Sequence, residues 1–524
     1  MHALDLVRDV QQSAIDLLTC YDSCAGGEPT VAGSVSAVGL SVRGRECRCG
    51  EVGTAMAKRP RPLRRARRTR FWGDAAARLF LLSGLALVTG CGRGSPRPNV
   101  LFLLIDSLRY DHLGFSGYAR PTSPCLDSLA ADGAAFVAST AQEPQTLGSV
   151  PSVMTGRYPL STFYRTSTAI PDEPVPVPAA SLGDGLPTVA RMLQKSGYTT
   201  AAFITSALVN RRIWGVWEQF DHWDRSVECC TGDCAERIND QVIRWLAESG
   251  DEPWLCYVHY NDVHHPYDAP QEYASRFSRS YGKLPVPTLD GMRGRARKGD
   301  LTREELEHIV GMYDAEIAYL DSQIRRLLRE ISALGSDRGL LVVVASDHGD
   351  EFYEHGDFGH TRTLYEELTR VPLILSWSDR IPSGILVDAR VRNVDIIPTI
   401  TDLVGAETPQ GVQGLSLLPY LGRERRGRAA FSRMWDPRRT SVKHGRWKLW
   451  RNPGEGLRLY DLASDPAEQR NLADVMPDTV RSLRTMLDEW EGSLPALPAP
   501  AERPVGPVLD STAVSKLRAL GYIE

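Results

Sequence analysis

Short apolar runs bounded by polar or turn residues alternate along the chain with segments whose apolar positions recur every three or four residues. Asn99–Ile105 (NVLFLLI), Thr199–Ile204, Trp254–Tyr260, Leu340–Ala345 and Val371–Leu375 read as strands. Several are apolar throughout, which predicts burial on both faces. Pro187–Ser196 reads as a helix with its proline in the first turn, Ala235–Ser249 as an amphipathic helix and 394–404 as another. A long helix is predicted from Thr302 to Leu334, where Ile309, Met312, Ile317, Leu320, Ile324 and Leu327 fall on one side. This alternation predicts an α/β/α sandwich around a large, mostly parallel sheet. From about residue 426 the pattern changes: Trp447–Trp450 and Leu457–Leu462 read as short strands and Asp478–Glu491 as a helix, a smaller α+β subdomain. Residues 266–300 are rich in Pro, Gly and Arg and read as a surface excursion. No internal repeat is present.

The N-terminal region departs from this pattern. Lys58–Arg70 carries eight basic residues and no acid, and is followed by the apolar run Leu79–Val88 and then Thr89-Gly90-Cys91. A basic segment, a short apolar segment and small residues before a cysteine read as an export signal, and the run is shorter than the roughly 20 residues that a membrane span needs. The end of the signal resembles that of a bacterial lipoprotein, in which Cys91 becomes the lipidated first residue. The expectation is therefore a leader over 1–55 that precedes a true start at Met56, a signal over 56–91, a tether over 92–98, a catalytic domain over 99–425 and a C-terminal subdomain over 426–524. The protein is expected in the cell envelope, tethered to a bacterial membrane by lipid.

Composition adds limits. Hydrophobic residues at 42%, charged residues at 24% and a formal charge of −4 suit a globular protein and argue against a nucleic-acid partner. Cys229, Cys230 and Cys234 cluster in a polar insert and are expected to form a disulfide in an oxidising compartment; Cys125 and Cys256 read as structural.

Chemistry concentrates just past the strands. Asp106 follows the first, Asp262-Val263-His264 the third, and Asp347-His348-Gly349 the fourth, while Gln145-Thr146 opens a short stretch ending in Thr155-Gly156-Arg157. In an open parallel sheet ligands bind beyond the carboxyl ends of the strands, so these residues should converge on a divalent metal. The plainer readings are a strand-end turn for Asp106 and a helix N-cap for Thr146.

Taken in order, NVLFLLIDSLRYDHLG, TLGSVPSVMTGRYP, DVHHPY, ASDHGDEFYEHGDFGHTRTLYEE, NVDIIPT, RWKLW and LYDLASDPAEQRNLA resemble the sulfatase family of the alkaline phosphatase superfamily, from about Asn99 onward. The resemblance implies a metal-dependent hydrolase of sulfate or phosphate esters, with Asp106, Asp347 and His348 as ligands to Zn, Mn, Ca or Mg. Two departures bear on mechanism. Many relatives carry Cys or Ser in a Cys/Ser-x-Pro-x-Arg motif ten residues before the Gly of the Thr-Gly pair and convert it to formylglycine. Here that position is Thr146, and Gly148 and Val150 replace the Pro and Arg. Threonine, a secondary alcohol, cannot become an aldehyde, so formylglycine is not expected and Thr146 is read as both metal ligand and nucleophile. His360 stands where many sulfatases have lysine. With Asp262 and His264 it is similar to the set that binds a second metal in two-zinc superfamily members; the alternative is His264 on the substrate and His360 as general acid. Ser107 replaces a second Asp. His259 and His265 are read as structural, Arg109 and Asp111 as structural ties, and Arg157 as anchored to a carboxylate. The substrate is expected to be a small-molecule, glycan or lipid ester. A phosphoethanolamine- or phosphoglycerol-type transferase and a catalytically silent binding protein on the same fold are the alternatives.

Overall fold

The structure, a computed structural model, describes residues 97–494 apart from 160–163, 171–172, 179–185, 206–214, 228–231 and residues 423, 425, 435 and 437. The signal segment and the leader, with the expectations attached to them, lie outside the described residues. Among the described residues no helix is long and apolar enough to cross a membrane.

A nine-stranded sheet organises the larger part of the described residues. Across it run Ile385–Val387, Ala134–Thr140, Arg370–Ser376, Leu340–Ser346, Asn99–Ile105, Trp254–Tyr260, Thr199–Ile204 and His222–Asp224, with Val391–Arg392 also paired to Ala134–Thr140. Arg370–Ser376 runs antiparallel to both neighbours and the other pairings are parallel. The pleat sends alternate side chains to opposite faces, and both are covered. Val100, Phe102 and Leu104 enter one core with Trp217 and Ile397; Leu101, Leu103 and Ile105 enter another with Ile317 and Leu320. Both cores therefore draw on the same apolar run, and the burial of each large side chain contributes about 1.5–3 kcal/mol.

The long helix spans Arg303–Leu334 and opens on a capping box: Thr302 Oγ1 accepts from Glu305 N–H at 3.2 Å, and Glu305 Oε2 accepts from Thr302 N–H at 2.9 Å. Its predicted apolar stripe is buried at all six positions.

Residues 266–300 are more than a surface excursion. They contain the helices Gln271–Phe277 and Leu289–Lys298, and Ala274, Leu289, Met292, Arg293 and Ala296 are buried. Cys125 and Cys256 are free and buried, and Cys234 is disulfide-bonded.

The C-terminal part is a four-stranded antiparallel sheet, Ala430–Arg433, Thr440–His444, Trp447–Asn452 and Gly456–Asp461, with the helix Pro477–Ser493 on one face. Val442, Leu449, Leu459, Leu483, Leu487 and Trp490 pack there with Tyr158 and Val394 of the larger part. Backbone bonds reinforce the contact, with Arg433 N–H donating to Gln142 O at 2.9 Å.

Candidate active site

Register decides where the polar residues go. Ile105 pairs with Tyr260 on one side and Ser346 on the other, so Asp106 and Asp347 leave the sheet at one level. Ser107 then turns the chain with φ 58°, a left-handed conformation unusual for a residue with a side chain. Three bonds hold that turn. Its N–H donates to Asp347 Oδ1 at 3.2 Å, its hydroxyl to Asp106 Oδ1 at 3.2 Å, and its carbonyl accepts from Tyr313 Oη at 2.9 Å.

The helix Thr146–Thr155 brings the fourth member, and it is buried from end to end. Thr146 Oγ1 lies 3.1 Å from His348 Nε2 and 3.4 Å from Asp106 Oδ2, and Ser149 Oγ donates to Asp347 Oδ2 at 3.3 Å. His348 Nδ1 sits 2.9 Å from the Gly349 carbonyl and so carries the hydrogen. Its Nε2 is left facing the carboxylates, 3.4 Å from Asp347 and 3.6 Å from Asp106.

Asp106, Asp347 and His348 are all buried, and each offers an atom within 4.8 Å of the others. Burial pushes Asp347 above the usual carboxylate range, and the charge of Asp106 adds to this. Burial acts on Asp106 in the same direction, but the His259 hydrogen bond at 3.3 Å and the imidazoles of His264 and His348 outweigh it and hold Asp106 well below that range. His348 is raised: burial opposes its charge, and Asp347 and Asp106 prevail. Among the described residues the ion-pair partners of these two carboxylates are histidines, with no lysine or arginine. Two buried carboxylates without a fixed cation are costly unless a metal joins them, and this mixed oxygen and imidazole set fits a divalent ion such as Zn, Mn, Mg or Ca.

A second cluster abuts the first. His264, His265 and His360 are buried, with ligating atoms again within 4.8 Å of one another, and the His348 and His360 ring centroids are 4.4 Å apart. His264 Nδ1 lies 2.6 Å from the His265 carbonyl and His360 Nδ1 lies 3.1 Å from Asp350 Oδ1. Asp350 is itself fixed by Tyr267 Oη at 2.6 Å. With Nδ1 donating in both rings, each Nε2 carries a lone pair, and among the described residues neither Nε2 has a hydrogen-bond partner; nor does either nitrogen of His265. Burial pulls His360 down to about 4, with His348 adding to it against Asp350. Burial and then His264 take His265 well below the ordinary histidine value.

Asp262 belongs to neither cluster. Its Oδ1 accepts from Ala235 N–H at 2.8 Å, at the first turn of the helix Cys234–Glu248, and burial pushes the carboxyl up to about 7. The third member of the cluster is therefore His265, read from sequence as structural, because Asp262 is drawn off by the helix end. His259 supports the site from the neighbouring strand, joined to Asp106 and to Tyr257 Oη at 3.0 Å. Arg109 is a tie as expected, bonded to Asp111, Glu354 and the Asp350 carbonyl. Arg157 donates to the Gln410 carbonyl at 3.4 Å in place of the expected carboxylate. Tyr313 and Arg293 also touch the site, and no sequence pattern marked them.

Comparison with known proteins identifies the family. The Sulfatase family model matches residues 98–406, and a model for the C-terminal part of N-sulphoglucosamine sulphohydrolase matches residues 353–491. The chain is 25% identical over 438 residues to the uncharacterized sulfatase YidJ of Escherichia coli (strain K12), covering 72% of this chain and 83% of that one. It is 23% identical over 437 residues to a delta 4,5-hexuronate-2-O-sulfatase of Bacteroides thetaiotaomicron, covering 74% and 87%. In fold it is similar to the phosphonate monoester hydrolase of Agrobacterium radiobacter, with a TM-score of 0.62 at 20% identity, covering 76% of this chain and 96% of that one. It is also similar to a 2-O GAG sulfatase, with a TM-score of 0.61 at 19% identity, covering 76% and 92%. The chain belongs to the sulfatase family of the alkaline phosphatase superfamily.

Proposed function

We propose that this sulfatase-family hydrolase cleaves sulfate or phosphate esters with Thr146 as its nucleophile, beside a divalent cation held by Asp106, Asp347, His348 and Thr146. The observation that carries the reading is the position of Thr146 Oγ1 at the start of a buried helix, 3.1 Å from His348 Nε2 and 3.4 Å from Asp106. When bound, such a cation acidifies an oxygen it holds and offsets charge on the ester. The chain supplies the rest. The helix start presents its positive dipole end to an anionic ester. His348 would give the cation its Nε2, whose lone pair is available because Nδ1 donates to the Gly349 carbonyl. Tyr313 and the Ser107 turn keep Asp106 and Asp347 aimed at one point. A threonine yields no formylglycine, so attack by the alcohol itself replaces attack by a hydrated aldehyde.

A second reading of the histidine cluster has its own support. His264 and His360 both present lone pairs at Nε2, which suits them to hold a second cation together with His265 better than to act as proton donors. In that reading both the attacking and the leaving oxygen of the ester would be flanked by positive charge. The export signal ending at Cys91 would place the enzyme at the cell envelope, and phosphonate monoester hydrolases among its structural neighbours keep phosphorus esters beside sulfate esters as substrates.

The test is to compare wild type, Thr146→Ala and Thr146→Ser on aryl sulfates and on phosphate mono- and diesters, with bound metal measured for each. Thr146→Ala should lower kcat by about 10³-fold or more, and Thr146→Ser should keep part of it. Unchanged turnover in Thr146→Ala defeats the nucleophile assignment. Two metal equivalents in the wild type and one in His360→Ala would support the second cation.

A further inference from the structure

We propose that Arg293, on the helix Leu289–Lys298, is a positioning residue of the active site, clamping the Phe358–Thr361 turn so that His360 keeps its Nε2 in the histidine cluster. The proposal rests on the assignment of His360 to that site.

Arg293 lies in the Pro-, Gly- and Arg-rich stretch between the third and fourth predicted strands, yet it is only 2% exposed. A guanidinium in such a place is costly unless its donors are used. Nε donates to the Phe358 carbonyl at 2.9 Å and Nη2 to the His360 carbonyl at 3.2 Å, while Asp357 Oδ1 lies 3.4 Å from Nε. The two carbonyls flank Gly359, which has φ +81°. A Cβ at Gly359 would lie 2.9 Å from Leu289 Cδ1 and 3.2 Å from Arg293 Nη2, so the absence of a side chain is what lets the clamp close.

The other side of His360 is held as well. Thr361 has φ 84°, and its N–H donates to the Pro144 carbonyl at 3.1 Å, two residues before Thr146. Positive φ at Gly359 and at Thr361 thus brackets His360, and at Thr361, which carries a branched side chain, it relaxes unless the surroundings over-determine it. Asp350 fixes the ring through Nδ1, and Arg293 fixes the backbone beneath it. The planar fork suits the task because two donors at fixed spacing meet two carbonyls at once; a lysine offers a single point of contact.

If Arg293 acts through His360, losses at the two positions are not additive. Arg293→Gln, Arg293→Lys, His360→Ala and the Arg293→Gln/His360→Ala double variant are made in the full chain. Each is assayed with a chromogenic aryl phosphate or aryl sulfate, whichever the wild type turns over, beside its Tm. Arg293→Gln should lower kcat about tenfold to a hundredfold with little change in KM, the scale expected for displacement of an active-site group by about an ångström. Arg293→Lys should recover part of the loss. In the His360→Ala background the same Arg293→Gln change should cost less than about twofold, because the group it positions is gone.

Equal losses in both backgrounds would show a merely structural arginine and overturn the proposal. So would wild-type kcat in Arg293→Gln with His360→Ala impaired, a result that leaves the reading of the site intact. Wild-type activity in His360→Ala would instead remove the reading of the site and the proposal with it. Should Arg293→Gln not fold, Arg293→Lys carries the same cycle.

Discussion

Replacing Glu366 by glutamine should uncouple the C-terminal sheet from the catalytic part. Lys443 and Lys448 face each other directly on adjacent strands, an arrangement of like charges that is repulsive in isolation. Both are buried, and one carboxylate bridges them: Glu366, just before the antiparallel strand, lies 2.5 Å from Lys443 Nζ and 3.2 Å from Lys448 Nζ. Glu468 supplies a second carboxylate to Lys448 alone, at 2.9 Å. Burial works against Glu366 being charged, but Lys443, Lys448 and Arg390 together hold it far below the usual carboxylate range. Removal of one partner from a buried pair costs about 3–5 kcal/mol. Glu366 keeps slight solvent access and glutamine still offers an oxygen, so a loss of about 3 kcal/mol is expected. Burial, with Lys448 and Arg390 adding to it against Glu366, already brings Lys443 down to about 7. A lysine lowered on folding sheds its proton in the folded state while the unfolded chain keeps it, so stability rises with pH between about 7 and the ordinary lysine value near 10.5. Without Glu366 that window opens at lower pH. The deficit of Glu366→Gln should therefore be larger at pH 6 than at pH 9, and it should not vanish, because Lys448 and Arg390 remain charged. Urea unfolding followed by tryptophan fluorescence measures this, with Trp450 packed at the same junction. A Glu366→Gln/Lys443→Met double variant should regain much of the loss. If the double variant is no more stable than Glu366→Gln alone, the charge argument is wrong.

Three further outcomes are expected. Gly349→Ala should lower stability by about 2–3 kcal/mol and lower bound metal as well, since its Cβ would lie 1.9 Å from the Glu367 carbonyl, a backbone atom that cannot step aside beside His348; Tm and metal analysis check both. Asp262→Asn should leave the metal content unchanged, whereas His265→Ala should reduce it if the histidine cluster holds a cation; a fall in the aspartate variant alone would restore Asp262 as a ligand. Asp321→Asn should flatten part of the pH dependence of stability. Asp321 accepts from the N–H groups of Cys125 and Leu126 at 3.0 and 2.9 Å, and burial raises it from 3.8 to about 6 against those bonds. Its contribution is therefore complete below about 3.8 and is lost as pH rises through about 6, by about 3 kcal/mol at most. Unfolding curves of the variant and wild type that run parallel from pH 4 to pH 7 would refute this.

What could be read from sequence, and what could not, follows from how each feature is encoded. The central strands are apolar on both faces and so stand out as continuous runs, and the Arg303–Leu334 helix has a stripe at every turn. Asp106, Thr146, Asp347 and His348 were legible because each begins just where an element ends or starts, and the register Ile105–Ser346 carries that sequence position into space. Strand direction was not legible: Val371–Leu375 is the same apolar run whichever way it points. The small residues of Ala134–Thr140 hid a strand altogether. The Asp262–His265 loop failed for a different reason. Past the end of a strand no periodicity says which of four successive side chains turns inward, and the choice was made by the N–H of Ala235, which claims Asp262. Arg293 is the limiting case. An arginine among prolines and glycines is soluble by composition, and only carbonyls more than sixty residues later in the chain make its burial favourable. A pattern reports what a residue is apt to do with its sequence neighbours, so a polar side chain whose partner is a distant backbone oxygen leaves no trace in it. The histidine cluster is therefore visible in sequence only as candidates, while the contacts that select and orient its members are properties of the fold.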